Sequence, residues 1–267
     1  MSPSLDCSHS LYDIDTDARR VFAKRAREAA KYWEYESHRH RQAQLVFNCR
    51  GAVNCQVNNV MWVIPPNCAM WIPSGAMHSL RGWGVADYYL VYVTPRHSVR
   101  CRKSHTLSVA PLLKELIREA SNLSEAYDER GPDGRLIRTL LDQLACAPGN
   151  DFRLPMPQDA RIQEMLNILI EDPARKGTVT EWGERLGMSG RTLNRLLIAD
   201  IGMSFSRWRR QLHLVYGLRR LIAGDRVQDI AHDFGYENAS SFITMFRKTI
   251  GKSPGRFLTE DIRGTIE

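Results

Sequence analysis

Residues 179–204 read VTEWGERLGMSGRTLNRLLIADIGMS, and residues 227–253 read VQDIAHDFGYENASSFITMFRKTIGKS. The second stretch is the first written again. Leu186-Gly187-Met188 returns as Phe234-Gly235-Tyr236 at an offset of 48 positions. After a one-residue insertion, Leu193, Leu196, Leu197, Ile201, Gly202 and Ser204 return at an offset of 49 as Phe242, Met245, Phe246, Ile250, Gly251 and Ser253. Repetition of this kind marks two copies of one small unit, and the spacing inside a copy says what the unit is. A short helix carries a small residue at its centre, Gly183 or Ala231, where a second helix can cross closely. Gly187 or Gly235 follows, at a turn whose backbone conformation glycine adopts without steric cost. Ser189 or Asn238 then suits the N-cap of a second helix with apolar residues at i, i+3 and i+4. Each copy predicts a helix-turn-helix, at about 178–202 and about 226–251.

In the first copy Arg191, Asn194 and Arg195, with Thr192 beside them, form a stripe rotated off the Leu193, Leu196 and Leu197 face. Arginine pairs bidentately with guanine and asparagine with adenine in the major groove, at roughly 1–3 kcal/mol of discrimination for each good pair. This helix is the expected base reader. The second copy offers Asn238, Ala239, Ser240, Thr244 and Arg247, suited to thymine methyls and phosphates, and so is expected to be the less selective of the two. Between the copies, 205–223 lacks proline, Ser204 can cap its start and Gly224 can end it, while Trp208, Leu212, Val215, Leu218, Leu221 and Ile222 recur at helical spacing. A helix of that length spans about 28 Å at 1.5 Å per residue. Successive major grooves on one face of DNA lie about 34 Å apart, so one chain can place two helices in adjacent grooves. An α-solenoid fragment is the competing reading, but two copies are fewer than a repeat array needs and the period matches no short helical repeat well.

Taken together, Thr178–Phe257, with GMSGRTLNRLL, GMSFSRWRRQLHL, DIAHDFGYENASSF and FRKTIGKSPGRF, resembles the DNA-binding domain of the AraC/XylS family of bacterial transcription regulators. The resemblance implies a seven-helix domain with two helix-turn-helix units that read promoter DNA. Leu197-Ile198-Ala199-Asp200 departs from the family's usual aromatic and basic residues, and Asp200 would repel DNA if it faced it.

Composition agrees without deciding anything. The 267 residues carry a formal net charge of +7, with a pI of about 9.2, which favours a polyanionic partner. Residues 1–157 hold 20 Lys+Arg against 16 Asp+Glu and residues 158–267 hold 17 against 14, so neither half is a basic domain. Arg207, Arg209, Arg210, Arg219 and Arg220 are therefore read as a mixture of solvated face and phosphate contacts. No apolar run approaches the roughly 18 residues of a membrane span, and the N-terminus, with Asp6, His9, Asp13, Asp15 and Asp17, has no secretory pattern. The six cysteines form no Cys-x-x-Cys pair and suit free thiols in a cytoplasmic protein.

Three prolines and a glycine in 147–157 exclude regular helix and divide the chain into 1–147, a linker at 148–157 and 158–267. Before the linker, Leu112, Leu113, Leu116 and Ile117, then Leu136, Ile137, Leu140, Leu141 and Leu144, make apolar helical stripes that fit either a core or a homodimer contact, the dimer being the favoured reading. From Gln44 to Val93 the texture changes to short runs rich in Val, Trp, Tyr and Ile (44–48, 61–64, 70–72 and 87–93), predicting a small antiparallel barrel in which Trp62, Trp71 and Tyr89 face inward as core.

Two strings, His38-Arg39-His40-Arg41-Gln42-Ala43-Gln44 and Pro73-Ser74-Gly75-Ala76-Met77-His78, resemble the cupin-barrel motifs His-x-His-x3-Glu and Pro-x-Gly-x2-His. If the first string is extended, His38, His40 and Gln44 share one face by the period of two, and His78 approaches from another strand. The set suits a divalent transition metal (Zn, Ni, Fe or Mn), although Gln44 replaces a glutamate and offsets none of the metal's charge. Alternatively, the histidines hydrogen-bond one another or a small-molecule effector.

The expected protein is α+β: a cupin-like sensing and dimerising domain followed by an all-α domain that binds double-stranded promoter DNA, with RNA polymerase a further partner. It has no catalytic residues. The rival class is a metal-dependent cupin oxygenase or isomerase with a helical oligomerisation module, which leaves the duplicated unit unexplained and supplies no acid/base carboxylate.

Overall fold

The computed structural model describes residues 20–58, 60–97, 103–124, 126–150 and 152–259. Within it the chain divides into two units, Met1–Asn58 with Ile64–Asp151, and Asn59–Val63 with Phe152–Glu267. The expectations placed on Asp6 to Asp17, Cys7 and Cys101 lie outside the described residues. Cys49, Cys55, Cys68 and Cys146 are free thiols, and among the described residues no helix is long and apolar enough to cross a membrane.

The strands are β1 (Val21–Glu28), β2 (Trp33–His38), β3 (Ala43–Val57), β4 (Val60–Ile64), β5 (Cys68–Ile72), β6 (His78–Val93), β7 (His105–Ser108), β8 (Gly149–Asn150) and β9 (Arg153–Pro155). In the first unit β3 and β6 pair antiparallel from Ala43↔Val93 to Val57↔His78. They are far longer than the runs read from the sequence, and each serves two sets of neighbours. Residues 86–93 of β6 take β1, residues 44–48 of β3 take β5, and the start of β6 takes β2. The register breaks around Gly51 (φ +81°), where a Cβ would stand 2.1 Å from Val85 O. Asn48 bonds Gly51 O and Ile64 O at 2.7 Å each and pins that bulge.

Alternation sorts the side chains of these strands. Leu45, Phe47, Trp71, Tyr89, Val91 and Val93 form one core with helices α1 (Pro111–Ala120) and α2 (Pro132–Cys146). Trp71 and Tyr89 thus face the helices. Gln44, Val46, Tyr88 and Tyr92 belong to the opposite face, where Phe22 stacks on Tyr92 at 4.7 Å and Trp33 on Tyr88 at 5.5 Å. The apolar helical stripes are largely core: Leu113, Ile117, Ile137, Leu140 and Leu144 are buried within their own unit, while Leu112 stays 55% exposed. The segment read as a linker holds short strands: β8 pairs β7, and β9 pairs β4 in the second unit.

Among its described residues the second unit carries seven helices: α3 (Ala160–Glu171), α4 (Val179–Arg185), α5 (Gly190–Ile201), α6 (Phe205–Ala223), α7 (Val227–Asp233), α8 (Ala239–Ile250) and α9 (Pro254–Phe257). The two copies are built alike. Gly187 and Gly235 turn at φ +69° and +73°, and Ser189 and Asn238 accept the N–H three residues on as N-caps. Ser204 and Ser253 cap the next helix in each copy. A Cβ on Gly183 would lie 2.8 Å from Gly190 N and Met188 O, which is why this helix crossing needs glycine. Thr178 and Glu181 add a reciprocal capping box to α4.

Helix α6 ends at Ala223 with Gly224 left-handed beyond it. On one flank Trp208 and Leu212 join Leu193, Leu197 and Trp182. On the other, Gly217 admits Phe242, whose Cζ would meet an added Cβ at 2.8 Å. His213, buried at mid-helix, reaches Pro173 O through Nε2 at 3.1 Å and Tyr236 Oη through Nδ1 at 2.9 Å. A carbonyl only accepts, so Nε2 carries the proton and the tyrosine hydroxyl donates to Nδ1. Arg209 donates to Gly177 O at 3.1 Å and to Arg175 O. One helix thereby holds the loop before the first copy and the turn of the second.

Burial pushes His213 down to about 4, against a smaller opposing effect of its bond to Pro173 O. The unfolded chain, with a histidine near 6.5, therefore takes up the proton first. Stability from this residue is complete above about pH 6.5 and falls as pH drops toward 4, by up to roughly 3 kcal/mol. Thermal melts of wild type and His213→Gln from pH 7 to pH 4.5 should show a shallower pH slope in the variant. Parallel slopes would rule out a buried neutral imidazole.

Candidate nucleic-acid interface and histidine centre

Helix α5 buries Leu193, Leu197 and Ile201 and exposes Arg191 and Arg195. These arginines border an open groove of about 720 Å³ that is also lined by Thr180, Asn194 and Ile198. Thr192 is half-buried, its hydroxyl 2.9 Å from the Ser189 cap. Asn194, expected as a base reader, also holds a bond within the protein. Its Oδ1 accepts Phe205 N–H at 2.9 Å and satisfies an open donor at the start of α6. Bidentate recognition of adenine would share this oxygen between Phe205 N–H and the base through its second lone pair. Asp200 is tied back as well, accepting Gln158 N–H at 2.6 Å.

On α8, Ser240, Thr244 and Arg247 are exposed, together with Lys248, which the sequence reading passed over. Asn238 is the cap, receiving the backbone N–H of Ser241 at 3.0 Å and its hydroxyl at 3.2 Å, and Ala239 is half-buried beside it. Of the α6 arginines, Arg220 is paired to Asp225 at 2.5 Å and Asp233 at 2.6 Å, bracing the second copy.

In the first unit His38, His40 and His78 come together, one ring nitrogen of each lying within 4.8 Å of the others. The route differs from the expected one. His38 ends β2 directly opposite His78, and a bulge after Tyr35 rotates it, whereas His40 sits on the turn before β3 rather than on a strand. The second motif holds that turn in place: Gly75 N–H donates to His40 O at 2.9 Å, and the Ser74 hydroxyl donates to Arg41 O.

Each Nδ1 faces a backbone carbonyl at 2.8 Å: Glu36 O for His38, Gln42 O for His40 and Ala76 O for His78. Carbonyls accept only, so all three Nδ1 atoms carry the proton and Nε2 is the nitrogen left to bind in the neutral ring. Nε2 of His38 and of His78 is buried with no hydrogen-bond partner. His40 Nε2 lies 3.3 Å from Gln44 Oε1, and the Gln44 amide nitrogen donates to Tyr92 Oη at 3.3 Å. Two acceptors therefore face one another at Gln44 and His40, an arrangement that a cation between them relieves, as does rotation of the amide. Burial, above the opposing bond to Ala76 O, pushes His78 down to about 4 and keeps it neutral. Tyr92 pairs with Gln44 across the strands, a relation that becomes visible once β3 and β6 are aligned.

Three imidazoles with fixed tautomers, two orphaned Nε2 atoms and an adjacent amide oxygen fit the donor set of a borderline divalent metal.

Known proteins resemble both units. Residues 23–145 match the model of the AraC-like ligand binding domain, and residues 182–260 match that of a helix-turn-helix domain. The HTH-type transcriptional regulator NimR of Escherichia coli (strain K12) is 35% identical over 221 residues, covering 83% of this chain and 81% of that protein. RipA, an HTH-type transcriptional regulator of Corynebacterium glutamicum, is 29% identical over 127 residues, 48% of this chain and 36% of its own length. A solved structure of ToxT from Vibrio cholerae aligns over 90% of this chain and 98% of its own at 11% identity, with a TM-score of 0.38.

Asn194→Ala removes the bond to Phe205 N–H and should cost about 1 kcal/mol. Arg191→Ala, on the solvated face, should stay within about 0.5 kcal/mol of wild type. Denaturant midpoints of the two variants test this; equal midpoints would show that the Asn194 bond does not support α6.

Proposed function

Because the chain belongs to the AraC family of transcription regulators, with an N-terminal ligand-binding domain and a C-terminal helix-turn-helix DNA-binding domain, we propose that it is a one-component regulator whose promoter binding is set by what its histidine centre holds. The family is one of regulators rather than enzymes, which sets aside the oxygenase or isomerase alternative.

The observation that carries the DNA reading is the pair of helix-turn-helix units joined by α6, whose second helices are both side-chain capped and one of which exposes Arg191 and Arg195. In this reading α5 reads bases through those arginines with Thr192 at its N-terminus, and α8 contributes Ala239, Ser240, Thr244 and Arg247 toward methyls and phosphates. Asn194 and Asn238 belong to the same DNA-contacting set while also holding Phe205 N–H and capping α8. His38, His40 and His78 hold a divalent metal (Zn, Ni, Fe or Mn) through Nε2, with Gln44 Oε1 as a neutral fourth donor. Bound metal supplies a cross-link between the β2–β3 turn and the start of β6. It changes DNA affinity by as much as it prefers one conformation of the chain over another.

The protein works in the cytoplasm as a homodimer whose contact includes the exposed Leu112 on α1, and it engages RNA polymerase at the promoter. Without metal, the same pocket holds a small-molecule effector.

Metal content of purified wild type and His40→Ala is measured together with operator affinity before and after chelation. Stoichiometric metal, its loss in the variant and a changed affinity on chelation are expected; metal-free protein with unaltered DNA binding contradicts the metal reading. In the same titrations Arg195→Ala should lose about 1–3 kcal/mol of specific binding and relax one base position. Unchanged affinity and specificity would remove Arg195 from the base-reading set.

A further inference from the structure

We infer that the effector of this protein is a small anion that binds the metal of the histidine centre directly through an anionic oxygen. The inference rests on the metal reading above and names the chemical class that completes it.

The observation behind it is a charge imbalance. The nearby donors are three imidazoles and an amide, all neutral. The groups behind them are neutral too: every Nδ1 is oriented by a main-chain carbonyl, where metal-binding histidines often lean on a carboxylate. His40, His78 and Gln44 are buried at 7%, 2% and 1% exposure, so water screens the site poorly. A dication there would keep its full charge in a low-dielectric setting, an arrangement that is costly unless a counter-charge enters with it.

The charged side chains of the His40 turn itself are cationic. Arg39 and Arg41 flank His40 on its turn, both exposed. Lys24 stands 5.9 Å over the ring of Phe22, which stacks on Tyr92, and Tyr92 touches both His40 and Gln44. Glu34 and Glu36 of β2 are exposed. Glu28 accepts the Tyr35 hydroxyl at 2.6 Å, and Asp87 is held by Arg25 at 2.6 Å. Arg39 and Arg41 on this turn favour an incoming anion over a second cation. Metal and anion therefore bind cooperatively, each offsetting the charge that makes the other unfavourable.

Three protein imidazoles also leave room. Four-coordinate sites with three protein ligands keep the fourth position for an exogenous group. Gln44 Oε1, the fourth donor when no anion is present, competes weakly for that position because its amide is neutral.

The full chain, stripped of metal, is loaded with Co(II), and loading is read from stoichiometry and visible absorption. Acetate and formate are then titrated in, with acetamide as the uncharged control. Saturable spectral change with both anions and none with acetamide is expected, together with at least tenfold tighter Co(II) retention when anion is present. Gln44→Glu supplies the missing charge from the protein and should bind Co(II) more tightly, by about tenfold, while losing the anion response. Wild type that takes up Co(II) yet gives the same spectrum and retention with and without anion overturns the inference and leaves the metal reading standing. Failure to take up Co(II) at all overturns both.

Discussion

The DNA-binding unit depends on α6 being buried along both flanks at once. Trp208 and Leu212 complete the core of the first helix-turn-helix, and Gly217 lets Phe242 of the second come within van der Waals reach. The polar groups of the helix do the same work as its apolar ones. His213 bonds a carbonyl on one side and a tyrosine hydroxyl on the other, Arg209 takes two loop carbonyls, and Trp208 donates to Pro155 O at 2.8 Å. With both copies locked to one rod of 19 residues, their spacing is a property of the helix and not of a flexible tether. A duplex presents grooves at a repeat of about 34 Å, and a helix of 19 residues spans about 28 Å, close to that repeat.

In the sheet unit the governing constraint is the hydrogen bonding of buried polar atoms. Main-chain carbonyls fix the three histidine tautomers, and the cost is two buried Nε2 atoms with no partner inside the protein. Unsatisfied buried groups of this kind are expected where a ligand completes them. The opposite face of β3 and β6 is ordinary core against α1 and α2, which separates binding from packing across a single sheet.

Features set by local chemistry were legible in the sequence. Ser189, Asn238, Ser204 and Gly224 stand where cap and turn preferences put them, and the boundaries of α6 follow from the last two. Features set by long-range pairing were not. The strands at 44–48 and 87–93 are pieces of β3 and β6, whose extra length comes from sharing neighbours and from the Gly51 bulge. His38 and His40 meet through a bulge and a turn, not through strand periodicity. Asn194 looked like a base reader because its position on the helix is right; only tertiary contact shows its oxygen also held by Phe205 N–H. Leu113, Ile117, Ile137, Leu140 and Leu144 looked better suited to a dimer seam than to a core, yet the sheet takes them. Tyr92 could not be linked to Gln44 before the register of β3 on β6 was known.

The central claim is that one chain sets two recognition helices one DNA turn apart. Methylation-interference footprinting of the full chain on a selected operator measures this directly. The account predicts two patches of major-groove interference on the same face of the duplex, their centres about 10 bp apart, with base-specific interference concentrated in the patch under α5. A single patch, or two on opposite faces, would contradict it.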